Sequence, residues 1–323
     1  MNFELSQGRL VVCVITRGRA ASLFRLLDAL ERLPSPPDVD VAVVIVENDN
    51  SATMRDEVQR RSRPDRRFVH GLQPALGIPF ARNAALRMAL DAQASYVAFI
   101  DDDEVPTDNW LLVLWEKACS GRYDLVGGPV EPVAVEPPRT WTEQQLLAGL
   151  QAQAADSRRK ASLRCSQGRE AEQFVATSNW MARGDFIRQH GLAFDESMGF
   201  SGGTDLKFYR ELRRAGGRVG WCDAAVVQEG LAPGRLTLGY QYRRARDQAV
   251  SNFGVRYAQV RGVLVVRGLA YCAGKMLRAV GWLMLLPVFR GTALVQSTRS
   301  AGQAVGRWRA LRGSRSDHYR SVV

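Results

Sequence analysis

Cysteine and histidine are scarce in this chain, and neither residue type forms a cluster. The five cysteines among 323 residues are widely spaced, and no Cys-x-x-Cys pair occurs. This spacing indicates neither a zinc site nor a disulfide framework. The three histidines, His70, His190 and His318, are equally dispersed. Residues 1–7 contain neither the basic nor the apolar stretch of a secretory signal, so we expect no signal peptide and a reduced, cytoplasmic setting.

Two further sequence features are missing. The phosphate-binding pattern Gly-x-x-x-x-Gly-Lys-Ser/Thr does not occur, because the only Gly-Lys pair, Gly274-Lys275, is not followed by Ser or Thr. The region 262–289 is mostly apolar, but its longest uncharged stretch, 279–289, has 11 residues and includes a proline. A membrane span needs about 18–20 such residues. We therefore expect neither a P-loop nucleotide site nor a transmembrane helix.

The positive charge of the chain is concentrated in its last third. The net charge is +11, but residues 231–323 contain 16 Lys or Arg and two acidic residues, whereas residues 1–230 contain 28 basic and 31 acidic residues. A basic segment rich in Leu, Val and Trp favours an anionic membrane surface over a nucleic acid as its partner. We expect a pair of amphipathic helices in the membrane interface. Packing of these helices on the rest of the chain, or on a second subunit, stays open as the alternative.

The first 130 residues alternate strand-like with helix-like segments. The predicted strands are 10–15, 39–46, 66–72 and 96–100, and the predicted helices are 20–33, 79–92 and 109–119. This alternation is typical of a parallel sheet with helices on both faces, in which ligands bind beyond the carboxyl ends of the strands. The polar residues after three strands, at 16–17, 47–48 and 101–103, would then meet at one edge.

Beyond residue 130 the pattern is less regular. It predicts a surface helix at 141–155, a mobile polar loop at 157–170, a helix at 204–215 and a strand at 218–227. No internal repeat is visible. The second part of the chain is therefore predicted with less detail than the first.

Three consecutive aspartates, Asp101, Asp102 and Asp103, follow the predicted strand 96–100. Three like charges in sequence repel one another unless a cation offsets them. Carboxylate oxygens suit Mg²⁺ or Mn²⁺, and Mg²⁺ usually shares its coordination with substrate phosphates. Two interpretations stay open on these residues alone: a metal–phosphate site at the strand end, or a loop that leads into a helix beginning near 106–109.

Eight segments, taken in chain order, together resemble the family 2 glycosyltransferases, which are inverting enzymes of the GT-A fold. The segments are VIT at 14–16, VIVENDNS at 44–51, GIPFARN at 77–83, FIDDDE at 99–104, TSNWM at 177–181, GLAFDE at 191–196, GGTDL at 202–206 and GGRVGW at 216–221. The resemblance covers residues 10–240 and implies an α/β fold, a Rossmann-like mixed sheet with helices on both faces. The tail resembles, less specifically, that of bacterial succinoglycan-type exopolysaccharide transferases.

The resemblance implies that the acidic segment is the family's metal motif. Asp101 and Asp103 would hold Mg²⁺ or Mn²⁺, which would bridge both phosphates of a nucleotide sugar and neutralise the leaving group. Asp102 would face the ribose or the adjoining helix, and which two of the three aspartates bind the metal stays open. The chain departs from the family at another metal contact. Many relatives carry a His after the last strand, where Glu229 or Gln228 stands in this chain. Glu229 would be either a hard oxygen ligand or a loop residue.

Three other residues are implied in nucleotide binding. Glu47 occupies the position where the family often has Asp, near the base and ribose. Arg82 would reach the base or a phosphate from the start of a helix, and Thr16 would offer backbone groups to the base. The alternatives are that Glu47 is a turn residue and that Arg82 is a surface arginine packed on the loop of Asp101.

Asp205 is the predicted catalytic base. The family usually shows Glu-Asp after two glycines, and here Thr204 replaces the Glu while Asp205 keeps its place. A carboxylate on the side opposite the nucleotide would take the proton of the acceptor hydroxyl as it attacks the anomeric carbon. The alternative is that Thr204-Asp205 caps the following helix, and both roles are compatible.

Four residues are predicted to contact the acceptor. Asn179 and Trp180 lie on a predicted strand near the acceptor face, where the Trp180 ring would stack on a sugar; core packing is the alternative for this tryptophan. Gly203 would allow close approach of the acceptor. Arg243, one of several arginines after the catalytic segment, would bind a diphosphate, with a solvated or membrane-facing helix side as the alternative.

We therefore predict a GT-A catalytic domain over 1–232, with a nucleotide-sugar half at about 1–130 and an acceptor half at about 131–232, followed by a basic, mostly helical region over 233–323. The expected reaction moves a hexose from a nucleotide sugar, UDP-linked in our prediction, to a polyprenyl-diphosphate-linked saccharide of the cell surface. The expected place is the cytoplasmic face of the bacterial inner membrane, with no nucleic acid as partner.

Two rival functions remain. A nucleotidyltransferase that forms sugar nucleotides would need a Gly-rich basic loop after the first strand, and Thr16-Arg17-Gly18-Arg19 is a faint version without a following Lys. A non-catalytic protein that binds a membrane surface or a polysaccharide would carry the same basic tail with a decayed site.

Overall fold

The computed structural model of the chain describes residues 8–199, 202–257 and 264–312. The strands are β1 Gly8–Thr16, β2 Val39–Glu47, β3 Arg66–Leu72, β4 Tyr96–Ile100, β5 Glu104–Pro106, β6 Leu125–Gly127, β7 Val130–Ala134, β8 Asn179–Arg183, β9 Val219–Trp221 and β10 Val227–Leu231. The helices are α1 Ala20–Arg32, α2 Arg55–Arg60, α3 Ile78–Asp91, α4 Trp110–Cys119, α5 Trp141–Ser166, α6 Gly184–His190, α7 Thr204–Arg214, α8 Leu238–Tyr257, α9 Leu264–Met284 and α10 Leu286–Leu311.

The larger sheet is mixed. Within the described ranges it has seven strands in the order β3-β2-β1-β4-β8-β6-β9. β1 pairs in parallel with β2 and β4, whereas β8 runs antiparallel to β4 and β6. Thr16 lies beside Glu47 and Cys13 beside Phe99, so the carboxyl ends of β1, β2 and β4 reach the same edge. Open α/β sheets bind their ligands at this kind of edge.

Alternate side chains of the central strands enter two cores, one on each face of the sheet. Leu10 and Val12 pack in the core that contains the buried faces of α1 and α4, whereas Val11 and Cys13 pack in the core of α3, α6 and α7. Burial raises the pKa of the Cys13 thiol, so this cysteine serves packing and not chemistry. Leu26 of α1 is fully buried, and its truncation to Ala would cost about 2–5 kcal/mol.

The segment predicted as a mobile polar loop at 157–170 is helical up to Ser166, as part of α5. The sequence-based prediction was wrong there because the polar residues are held by long-range partners. Arg158 donates through Nε to Asp223 over 3.1 Å, and Ser162 donates through Oγ to the other oxygen of Asp223 over 2.9 Å. Ala161, between them, is fully buried.

The predicted strand at 218–227 is also divided in the structure. β9 belongs to the large sheet, whereas β10 begins at Val227 and forms a small sheet of order β5-β10-β7. β10 runs antiparallel to β5, with Glu229 directly opposite Glu104. The small sheet therefore links the segment after the three aspartates to the predicted position of the variable metal ligand.

Two compact units make up the described chain. The first contains residues 8–131, 158–199 and 204–229, and the second contains residues 132–157, 202–203, 230–257 and 264–312. The sequence-based boundary at 232 is close to the last residue of the first unit, but the structure also assigns 132–157 to the second.

The second unit depends on close helix contacts. A Cβ added to Gly306 of α10 would lie 2.1 Å from the carbonyl oxygen of Arg246 in α8, and one on Gly302 would lie 2.5 Å from that of Tyr242. Glycine at these positions lets the two backbones touch. Among the residues that the structure describes, no helix has the length and apolar content that crossing a bilayer demands.

Candidate active site

The three aspartates after β4 lie next to the loop after β1, and Arg19 joins the two. Asp102 is buried and accepts hydrogen bonds from Thr16 Oγ1 at 2.7 Å and from Arg19 Nη1 at 3.1 Å. Arg19 Nη1 also contacts Asp103 Oδ2 at 3.3 Å. Burial raises the pKa of Asp102, and the charge of Arg19 opposes this rise. Thr16 and Asp102, both predicted to contact the nucleotide, therefore bind each other through their side chains.

Arg19 is a site residue that sequence reasoning missed. Its side chain remains about one-third exposed while it bridges two carboxylates. Burial lowers its pKa, but the charges of Asp102 and Asp103 outweigh burial and raise the pKa overall. The available signal was the basic segment directly after β1, which the sequence analysis weighed only for a rival nucleotidyltransferase.

Asp101 is half-buried and is the most accessible of the three aspartates. Its side chain is 38% exposed, and Arg82 Nη2 lies 3.5 Å from its Oδ1. Burial by the surrounding protein raises its pKa to about 7, Arg82 opposes this shift, and the charges of Asp103, Asp205 and Asp102 add to it. Repulsion within the cluster is therefore only partly compensated by the protein's own arginines.

Glu104 adds a buried carboxylate that the sequence analysis did not single out as a site residue. Its Oε2 accepts from the backbone N–H of Asp101 at 3.2 Å. Burial raises its pKa well above the usual range, and the charges of Asp101, Asp103 and Glu229 raise it further. Like charges directly opposite in an antiparallel ladder destabilise the pair, as Glu104 and Glu229 would when both are ionised.

The donor set of this cluster fits a hard divalent cation. Carboxylate oxygens from Asp101, Asp103 and Glu229 are the ligand type that Mg²⁺ and Mn²⁺ prefer, and the burial and neighbouring carboxylates that raise the pKa of Asp101 and Glu104 favour a cation. Within 8–199, 202–257 and 264–312 no three acidic, imidazole or thiol side chains form a ready cage for a metal. Mg²⁺ is commonly held by one or two carboxylates plus substrate phosphates, so a complete protein cage is not required.

Arg82 connects the aspartate cluster to the predicted base. The guanidinium is buried and lies over the Phe194 ring, 5.5 Å from its centroid. Its Nη1 donates to Asp205 Oδ1 and lies 3.3 Å from Thr204 Oγ1, while its Nη2 faces Asp101. One arginine thus spans the predicted metal ligand and the predicted base, whose sequence positions are 104 residues apart.

Glu47 is fully buried and anchors the loop that follows β2. Its two oxygens accept from Thr53 N at 3.0 Å, from the Thr53 hydroxyl, from Met54 N at 3.2 Å and from His70 Nε2 at 2.9 Å. Burial opposes ionisation, but the hydrogen bonds from Thr53 and His70 lower the pKa of Glu47 overall. Four donors occupy the carboxylate, so any effect of Glu47 on a nucleotide passes through the loop that it holds.

The side chains of Asn48 and Asn83 hold neighbouring backbone segments by hydrogen bonds. From the sequence, both residues were recognised only as parts of family motifs, without a role of their own. Asn48 Nδ2 donates to the carbonyls of Gln73 and Ala75, both at 2.8 Å. Asn83 bonds both backbone groups of Phe194, and Phe194 in turn supports the guanidinium of Arg82. These amides fix the loops around the site.

Two acceptor predictions require correction. Asn179 is 1% exposed and its amide is saturated: Oδ1 accepts from Trp110 Nε1 at 2.8 Å, and Nδ2 donates to the carbonyls of Pro129 and Ala225. Trp180 is also 1% exposed and stacks on Phe208 at 5.8 Å between ring centroids. Both side chains therefore belong to the core and offer no face to an acceptor sugar.

The other two acceptor residues belong to the second unit. Gly203 has φ +99°, a conformation that favours glycine. Arg243 is exposed on α8. Their contact with an acceptor stays a prediction.

Comparison with known proteins identifies the family. A sequence model described as "Glycosyl transferase family 2" matches residues 11–191, which is more than half of the chain. The chain belongs to glycosyl transferase family 2. The match includes most of β1, all of β2 and β4 and the three aspartates, and it ends before Asp205 and Glu229.

This family 2 glycosyltransferase is similar to named proteins. Over 240 residues, 72% of this chain and 70% of the relative, it is 29% identical to the succinoglycan biosynthesis protein ExoM of Rhizobium meliloti (strain 1021). The mannosyltransferase PcManGT from Pyrobaculum calidifontis, solved with GDP-Man and Mn²⁺, matches with TM-score 0.53 and 17% identity over 98% of this chain and 79% of that one. S. aureus TarS 1-349, solved with UDP, matches with TM-score 0.51 and 14% identity over 95% and 92%. The predicted GT-A fold and the family resemblance are confirmed.

Proposed function

We propose that this glycosyltransferase moves a hexose from a UDP-sugar to a lipid-linked saccharide with inversion at the anomeric carbon. The observation that carries the proposal is the position of Arg82, which contacts both Asp101 and Asp205. A donor diphosphate held beside Asp101 would place its sugar next to Asp205. The two similar structures were solved with UDP and with GDP-Man, which supports a nucleotide sugar as the donor.

The donor end of the site would bind the diphosphate through positive charge. Arg19 is partly exposed beside Asp102 and Asp103. A guanidinium can donate two parallel hydrogen bonds to the oxygens of one phosphate. Asp101 and Asp103, with Glu229 near Glu104, would hold Mg²⁺ or Mn²⁺. That ion would neutralise the charge that develops on the leaving nucleoside diphosphate.

The acceptor end of the site would use Asp205. Its carboxylate, 29% exposed, would take the proton of the acceptor hydroxyl. The acceptor oxygen would form its bond to the anomeric carbon on the face opposite the diphosphate, and the bond from that carbon to the diphosphate oxygen would break. Arg82 and Thr204 orient Asp205 for this step, since both contact its Oδ1.

The acceptor and the location are proposed from the chemistry of the second unit and from the named relative. Succinoglycan biosynthesis, in the name of the relative, supports a role in exopolysaccharide synthesis. Between Asp247 and Asp317 the chain has eleven Lys or Arg and no acidic residue, which favours an anionic membrane surface. We place the enzyme at the cytoplasmic face of the inner membrane, with a polyprenyl-diphosphate-linked saccharide as acceptor.

One experiment tests the reaction type. The purified chain is incubated with UDP-hexoses or GDP-mannose, Mn²⁺ and a membrane extract that contains lipid-linked saccharides, and the anomeric configuration of the product is determined by NMR. Consumption of one UDP-sugar with an inverted product is expected. A retained configuration, or preference for GDP-mannose, would contradict the mechanism or the donor respectively.

A parallel incubation with a sugar phosphate and a nucleoside triphosphate tests the rival nucleotidyltransferase. Release of pyrophosphate would support that rival. Calorimetry with UDP and Mn²⁺ tests the non-catalytic rival, because a missing binding signal would favour a decayed site.

A further inference from the structure

The second unit contains an apolar surface at the end of a helical hairpin. α9 and α10 run antiparallel, since Gly268 lies against Leu311 and Cys272 Sγ contacts the carbonyl of Ala304 at 3.3 Å. The two helices are separated only by Leu285. We define the hairpin tip as residues 276–290, the last turns of α9 and the first turn of α10.

The hairpin tip is unusually exposed for its composition. The large hydrophobic side chains that are exposed at the tip are Met276, Leu277, Val280, Leu283, Met284, Leu285, Val288 and Phe289. They make up half of the sixteen exposed large hydrophobic residues recorded for the described chain. Leu277, Met284 and Val288 are 74%, 76% and 72% exposed. A group of exposed large apolar side chains in one short segment indicates an interaction site.

The charged residues within the hairpin tip and beside it in sequence are all positive. Lys275, Arg278 and Arg290 flank the apolar side chains, and Arg278 and Arg290 are exposed. No acidic residue occurs from 248 to 316. The ring of Trp282 packs on Phe289 at 6.0 Å between centroids, and tryptophan favours the water–lipid boundary.

This charge distribution distinguishes between two possible binding partners of the hairpin tip, a second copy of the chain and a lipid surface. A second copy of the chain in a two-fold contact would bring the same patch against itself, so Lys275, Arg278 and Arg290 of both copies would meet, and the tip itself has no acidic side chain to offset them. An anionic lipid surface instead offers phosphates to the basic residues and acyl chains to the apolar ones.

We propose that the hairpin tip is the membrane-docking element, which inserts its apolar side chains between anionic lipids and keeps its basic residues at the headgroup level. The tip has 15 residues, too few to span the bilayer, so the insertion is shallow. The inference deepens the membrane-surface part of the proposed function and is independent of the reaction that the first unit catalyses.

The test is co-sedimentation of the full-length protein with vesicles of phosphatidylglycerol and phosphatidylethanolamine, or of phosphatidylcholine alone. The tip variant is Leu277→Gln, Met284→Gln and Val288→Gln together. The matched control is Val69→Gln, Val135→Gln and Leu163→Gln, which removes three exposed apolar side chains outside the tip. A charge variant combines Lys275→Gln, Arg278→Gln and Arg290→Gln.

The wild type and the control are expected to bind the anionic vesicles and to bind phosphatidylcholine weakly. The tip variant and the charge variant should each lose at least tenfold in partition coefficient, and binding should weaken with salt. Unchanged binding of the tip variant would overturn the proposal. A wild-type dimer that the tip variant converts to a monomer, without vesicle binding by either, would assign the patch to a second copy and would also overturn it.

Hydrolysis of the UDP-sugar in vesicle-free buffer separates this proposal from the proposed reaction. The tip variant should keep the wild-type hydrolysis rate and unfolding temperature. If no variant hydrolyses a nucleotide sugar or transfers it to the lipid-linked acceptor while vesicle binding follows the expected pattern, the reaction is refuted and the docking element stands.

Discussion

Electrostatic interactions dominate the aspartate loop after β4, whereas close backbone packing dominates the contact between helices α8 and α10. In the loop, burial and neighbouring negative charge raise the pKa of Asp101 and Glu104, and Arg19 and Arg82 offset part of that charge. In the helices, glycines at Gly302 and Gly306 let uncharged backbones touch. The first region is under electrostatic stress that a ligand would relieve, whereas the contact in the second depends on how closely the helix backbones can approach. A substitution in the loop should therefore act through charge, whereas one at the helix contact should act through volume.

The largest expected effect comes from the base. Asp205→Asn should lower the transfer rate by about 10²–10⁴-fold, because the acceptor hydroxyl loses its proton acceptor. Steady-state kinetics with a lipid-linked acceptor measures this change, and the KM for the donor should change much less. The exposed Asp108→Asn provides a charge-matched control. Full activity of Asp205→Asn would make the base assignment wrong.

Removal of the divalent cation should come next. EDTA should abolish transfer, and UDP with Mn²⁺ should raise the unfolding temperature, since a ligand at one hundred times its Kd stabilises by about 2.7 kcal/mol. Scanning fluorimetry measures the shift, with Asp103→Asn expected to reduce it. Equal stabilisation by UDP in EDTA and in Mn²⁺ would show that no metal takes part in UDP binding.

At the contact between α8 and α10, the free energy of unfolding should depend on side-chain volume. Gly306→Ala should destabilise the protein by about 1–3 kcal/mol, because the added Cβ would clash with the Arg246 carbonyl at 2.1 Å. Gly274→Ala in α9 is the matched control: its Cβ would have no neighbour within 4 Å, and a helical Ala should stabilise by about 0.5–1 kcal/mol. Urea unfolding measures both. Equal effects would contradict the close contact of α8 and α10.

The smallest effect should be on the stability of the metal-free protein, through the aspartate loop after β4. The pKa of Asp101 is raised in the folded state to about 7, so the folded protein holds the proton more tightly than the unfolded chain and stability falls as pH rises from about 4 to 7. Asp101→Asn should remove part of this loss and raise the unfolding temperature in EDTA by a few degrees at pH 8.

Asp185 offers the opposite sign for that measurement. Arg183 lowers the pKa of Asp185, so Asp185→Asn should slightly destabilise at pH 8. A drop in unfolding temperature for Asp101→Asn equal to that for Asp185→Asn would mean that the cluster carries no stress.

The positions that the sequence predicted well are those with a local signal. The apolar runs that form β1, β2 and β4 end at Thr16, Glu47 and Ile100, and the polar residues beyond them were predicted to meet at one edge. The prediction of a mobile loop failed for the part of α5 beyond residue 157, because its polar residues are held by Asp223, which is more than 50 residues away in sequence.

Composition and residue order thus determined the strand and helix alternation, the family, the aspartate cluster and the charge asymmetry, because each depends on patterns that neighbouring residues carry. Only the tertiary structure decided that Arg19 bridges Asp102 and Asp103, that Glu104 faces Glu229, and that Asn179 and Trp180 are enclosed by the core. Pairing and burial depend on which distant strands and helices become neighbours. Sequence spacing does not encode that choice; the packing of the whole sheet does.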